Sequence, residues 1–113
     1  MVSEVEIHIH EKTDRAVIEI HGELNEKFEE KIITSFDNFS QKQKQNCILD
    51  LSKIEYINSA GFSIIIQLIK KNLVQQRKIK IAGLDKYFQN ILASLGIAEY
   101  IQFYNNIDLA IKK

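Results

Sequence analysis

The residues best placed to do chemistry lie between Asp50 and Phe62, in the run Asp-Leu-Ser-Lys-Ile-Glu-Tyr-Ile-Asn-Ser-Ala-Gly-Phe. An apolar stretch, Cys47 to Leu51, reads as a strand covered on both faces. It passes through a loop into a strongly helical segment, Phe62 to Gln76. Ser59 therefore falls at or just before a helix start. Such a start has unpaired backbone N–H groups and about half a positive charge, so it favours an anion. Ser59 has two readings on these grounds. Its hydroxyl can cap the helix, a common use of serine at this point. Alternatively it stands exposed as a phosphate acceptor, with the helix dipole offsetting part of the added charge. A hydrolytic serine lacks its companions. A nucleophile elbow has glycine two residues before the serine, where this chain has Ile57. The histidines, His8, His10 and His21, all sit near the N-terminus, and nothing suggests one as a partner base. No Walker-type glycine loop is present. A binding protein without catalysis or cofactor is expected.

Three further groups carry chemically capable side chains. His8 and His10 share a strand face at a metal-compatible spacing, but no third ligand is apparent, so the face reads as solvated and metal-free. Lys70, Lys71, Arg77, Lys78 and Lys80 read as a wet basic face able to steer an acidic partner. Cys47 is the only cysteine, which precludes an internal disulfide and suits a reducing compartment. Its position before an apolar run implies a buried, inert thiol.

The elements around Ser59 follow from periodicity. Val5, Ile7 and Ile9 alternate with Glu6, His8 and His10, and Ala16, Ile18 and Ile20 with Val17 and Glu19. These are two strands of a hairpin, the second ended by Gly22. From about Asn25 to Phe39, Phe28, Ile32, Phe36 and Phe39 form one helical stripe behind an Asn25 cap. Ser40 to Asn46 reads as a loop. Ile65, Leu68, Ile69 and Leu73 form the stripe of the helix after Ser59. A strand follows over Lys78 to Ala82. A helix over Lys86 to Leu95 has Phe88, Ile91, Leu92 and Leu95 as its stripe, closed by Gly96. A short strand, Ile101 to Tyr104, and a last helical turn or two complete the chain. Strands joined through helices imply parallel pairs with right-handed crossovers. The expectation is an α/β fold with a mixed sheet of four or five strands and helices mainly on one face.

Length and composition set the limits. The 113 residues fit one domain over 1–113, with 45% hydrophobic and 27% charged residues, an ordinary globular balance. The formal net charge of zero argues against nucleic acid as a direct partner. No charge-free apolar run approaches the ~18 residues of a membrane span. Met1-Val2-Ser3-Glu4 is polar and acidic, unlike a secretory signal.

The segment around Ser59 resembles the signature of STAS domains, in particular the anti-sigma factor antagonists. Their pattern is Asp-Leu-Ser, a spacer with an aromatic and an aliphatic residue, then Asp-Ser-(Ser/Thr)-Gly-(Leu/Ile) opening a helix. The chain matches at Asp50-Leu51-Ser52, Tyr56-Ile57 and Ser59-Ala60-Gly61-Phe62. Gly22-Glu23-Leu24 and Ile81-Ala82-Gly83-Leu84 extend the likeness over nearly the whole chain. Asn58 stands where the family has aspartate, and Ala60 where it often has a second hydroxyl. The resemblance implies a cytoplasmic regulator of sigma-factor-dependent transcription that works by partner switching. It implies phosphorylation of Ser59 by an anti-sigma factor with a histidine-kinase-like ATPase fold, and reversal by a phosphoserine phosphatase. It also implies a partner surface of Glu23, Asn58, Ser59, Ala60, Gly61 and Phe62. A constitutive STAS scaffold, or a module of a transporter or lipid-transport complex, is the alternative.

Overall fold

The computed structural model describes residues 5–112. The reading of Met1 to Glu4 as a non-secretory start lies outside them. The chain opens with the expected hairpin, β1 (Glu6–Glu11) and β2 (Ala16–Leu24), paired antiparallel with Ile7 opposite Ile20 and Ile9 opposite Ile18. A Lys12 N–H to Arg15 carbonyl bond of 2.8 Å closes the turn. After β2 come a 3₁₀ turn (Glu26–Phe28), α1 (Glu29–Asn38) and α2 (Gln41–Gln45). Then follow β3 (Cys47–Ile57), α3 (Ser59–Leu73), β4 (Ile79–Ala82), α4 (Lys86–Ser94), β5 (Ile101–Tyr104) and α5 (Ile107–Lys112). The five strands lie side by side in chain order, and each pair after the hairpin is parallel.

The alternation of side chains sorts the sheet into two faces. Ile18, Ile20, Leu49, Leu51, Ile81 and Ile101 join the main core with Ile32 and Phe36 of α1, Ile64, Ile65 and Leu68 of α3, and Phe88 and Leu92 of α4. On the opposite face a smaller cluster of Ile48, Ala82 and Ala110, flanked by Val17, Tyr104 and Ile107, is covered by α5. That face stays wet over the hairpin, as the polar positions of the first strands implied. No helix among the described residues is long and apolar enough to cross a membrane.

Several boundaries differ from the sequence reading. Gly22 does not end β2: its φ of 82° accommodates an irregularity, and pairing resumes through Leu24 opposite Ile57. β3 likewise continues through the polar stretch Ser52 to Tyr56, because pairing with β2 continues along it. Ser40 to Asn46 is not a plain loop. Ser40 and Gln43 form a reciprocal capping box that starts α2. Asn25 caps the 3₁₀ turn and not α1 directly. In α3 the stripe ends differently, with Leu73 43% exposed and Asn72 only 4%. Asn72 is accommodated there by donating to the Leu68 carbonyl at 2.8 Å and accepting from Arg77 Nε at 3.2 Å. Leu95 is also exposed, lying just past the end of α4.

Candidate functional site

The C-terminal ends of β2 and β3 bring two loops together beside the start of α3. Asn58 has an extended backbone and is the residue that caps this helix. Its Oδ1 accepts from the Gly61 N–H at 2.8 Å, and its Nδ2 donates to Glu26 Oε1 at 3.0 Å. Its backbone N–H reaches the Leu24 carbonyl at 3.3 Å. The capping reading of Ser59 is therefore corrected. The helix begins three residues before Phe62, so the cap falls on Asn58 and Ser59 becomes the first helical residue. Ser59 is exposed, and no hydrogen bond occupies its hydroxyl among the described residues.

Asn58 needs both halves of its amide. An aspartate there would still cap Gly61, but it would set a second carboxylate against Glu26. The amide donor instead holds the Glu26 carboxyl below its usual value of 4.5. The site thus keeps a carboxylate close to Ser59, carried by Glu26.

Gly61 is buried, and Ala60 is half-buried. A Cβ on Gly61 would collide with the Leu24 carbonyl oxygen and lie 2.8 Å from Ile57 Cγ2. Only glycine lets α3 start this close to β2. Glu23, half-buried, stands opposite Tyr56 in the strand register. Its Oε1 accepts from Asn25 Nδ2 at 2.6 Å, and buried Asn25 accepts from the Lys27 N–H at 2.9 Å. Glu23 thus reaches the same edge of the sheet as Ser59 but braces the β2–α1 loop.

Phe62, one turn into α3, packs against Phe88 of α4 with ring centroids 6.5 Å apart. Tyr56 meets the same ring edge-on at 6.3 Å and is 49% exposed. Tyr87 does so at 5.0 Å and is 65% exposed. An aromatic surface therefore adjoins the serine. Sequence reading had Tyr56 only as part of a motif and missed Tyr87 altogether. The available signal was that Tyr87 lies off the Phe88–Ile91–Leu92 stripe.

The remaining candidates separate. Lys71 pairs with Asp37 at 3.0 Å and Arg77 donates to Asn72, while Lys70 and Lys78 stand exposed. Cys47 is half-buried and not enclosed as expected, but the burial of its thiol pushes it up to about 12, which suits an inert role. On the wet face of the hairpin, one ligand atom from each of Glu6, His8 and His21 lies within 4.8 Å of the others. This is not the His8–His10 pair of the sequence reading: His10 lies outside the group, and Glu6 and His21, which face each other across the hairpin, join His8 instead.

The sequence matches the STAS domain family over residues 4–110. Among solved structures, the fold resembles an anti-sigma factor antagonist from Mycobacterium paratuberculosis, with a TM-score of 0.77, 15% identity and coverage of 96% of this chain and 92% of that one. It also resembles the phosphorylated form of the Bacillus cell fate determinant SpoIIAA, with a TM-score of 0.71, 13% identity and coverage of 95% and 97%. A sulfate transporter family protein from Wolinella succinogenes aligns with a TM-score of 0.72, 16% identity and coverage of 85% and 80%. With the signature around Ser59 on a sequential mixed sheet, and a family match spanning nearly every described residue, the chain belongs to the STAS domain family.

Proposed function

We propose that this chain is a cytoplasmic anti-sigma factor antagonist, switched by phosphorylation of Ser59, that binds its partner without catalysing a reaction. One observation carries the reading. Ser59 is exposed at the first position of α3, and its hydroxyl is free because Asn58 does the capping. The bare serine and the neighbouring Phe62, Tyr56 and Tyr87 make a surface that loses water readily against a partner. A phosphate on Ser59 adds close to two negative charges that must stay hydrated or find cations. Glu26, held at Asn58, adds a carboxylate beside them. The same interface is then lost, because burying the phosphate unpaired costs several kcal/mol.

The partner is an anti-sigma factor of the histidine-kinase-like ATPase type that acts as the serine kinase, and a phosphoserine phosphatase resets the switch. The test is to incubate the protein with ATP and a histidine-kinase-like anti-sigma factor ATPase from the same genome. Phosphate mapped to Ser59 by mass spectrometry, and absent from Ser59→Ala, supports the reading. No incorporation, with the kinase active on another substrate, counts against it.

A second reading has its own support. The fold likeness to a sulfate transporter family protein, together with Asn58 in place of the family's aspartate, suits a STAS module that binds constitutively.

A further inference from the structure

The outer face of the β1–β2 hairpin gathers all three histidines of the chain, with two glutamates. Glu6, His8 and His10 occupy alternate positions on β1, so their side chains project to one side. The antiparallel register sets His21 opposite Glu6 and Glu19 opposite His8. The rings of His8 and His21 are 5.2 Å apart, and those of His8 and His10 are 6.4 Å apart. His8 Nε2 lies 3.0 Å from Glu6 Oε1, and His10 Nε2 lies 3.1 Å from Glu19 Oε1. The other Glu19 oxygen holds His21 Nε2. α5 covers the smaller cluster around Ile48 and Ala82, and His8 and His10 remain exposed.

The simple reading of such contacts is a set of surface ion pairs, each worth about 0–1 kcal/mol. Neutral imidazoles offer lone pairs, and one divalent ion satisfies several at once. Ligands about 2.0–2.1 Å from zinc in a tetrahedron stand roughly 3.3 Å from one another. The ligand atoms of Glu6, His8 and His21 lie within 4.8 Å of one another, close to the spacing that one ion requires. Two imidazoles and a carboxylate are a donor set that suits zinc, with a fourth position left to solvent. Glu19, bonded to His21, is the kind of carboxylate that orients a ligating ring.

We propose that Glu6, His8 and His21 form a surface site for a first-row divalent metal ion, with Zn2+ as the natural occupant. The ion ties the edge strand β1 to β2 on the face of the sheet left open by α5. Ser59 plays no part in it.

The test is calorimetric titration of chelator-treated protein with Zn2+. The expected result is one equivalent bound per chain, and affinity weakened at least about ten-fold in both His8→Ala and His21→Ala. Cys47→Ser should bind as the parent does, since the thiol is remote from the hairpin face. Circular dichroism of each variant establishes that it is folded. Cobalt substitution gives a second readout, in which d–d absorption typical of low coordination number appears in the parent and not in His21→Ala. No saturable binding by the parent, or equal binding by parent and both histidine variants, overturns the proposal.

Discussion

At the level of single residues, Asn58 and Ser59 divide the labour at the start of α3. Ser59→Ala removes an exposed hydroxyl that has no partner among the described residues, so thermal or urea unfolding should move by no more than about 0.5 kcal/mol. Asn58→Ala removes the cap on Gly61 and the donor to Glu26, and should cost about 1 kcal/mol or somewhat more. Asn58→Asp separates the two roles. It keeps the cap but turns attraction to Glu26 into repulsion, so it should be less stable than the parent at neutral pH. The deficit should shrink with added salt, and again at acid pH once the carboxyls protonate. The motif around Ser59 was legible in sequence as residue types at a spacing. The exchange of roles was not, because it depends on where the helix begins and on Glu26, 32 residues away in the chain.

At the scale of elements, the site is held by the approach of α3 to the end of β2. Gly61→Ala would force a methyl against the Leu24 carbonyl and Ile57. Overpacking of this kind costs about 1–3 kcal/mol, and the value here should lie at the upper end because the clash is with backbone. The shift should show in the denaturation midpoint and in the amide signals of Leu24 and Asn58. Asn72→Ala and Leu73→Ala test the phase of α3. The first should be the more damaging, by about 1–3 kcal/mol, because it empties a buried position and removes the bonds to the Leu68 carbonyl and Arg77. Helical periodicity had put Leu73 in the core and placed no weight on Asn72. A stripe of apolar residues gives the face of a helix but not its last turn, where the Asn72 carbonyl also receives the Gln75 and Arg77 N–H groups. Strand ends were under-read for a related reason. Ser52 to Tyr56 lacks an apolar run, and only pairing with β2 makes it a strand.

At the scale of the whole molecule, strand and helix order alone predicted the mixed sheet, the leading hairpin and the parallel remainder. The hidden part was cross-strand register, which gathers the histidine cluster and brings Glu23 opposite Tyr56. That cluster also shapes the acid limit. The bond from His21 holds the Glu19 carboxyl below its usual value of 4.5, as Asn58 does for Glu26. A depressed carboxylate contributes stability above its unfolded pKa, and that contribution is lost as pH falls through the folded value. Urea midpoints should therefore fall as pH is lowered from about 5 toward 3, and less steeply in Glu19→Gln than in the parent. The central claim is that Ser59 is a switch between bound and released states. The direct measurement is calorimetric affinity of the bare and the Ser59-phosphorylated chain for the histidine-kinase-like ATPase that phosphorylates it in the test above. The account predicts that phosphorylation weakens binding by at least about a hundred-fold, that Ser59→Ala binds as the bare protein does, and that Ser59→Asp falls between. Equal affinity of the bare and phosphorylated proteins would contradict it.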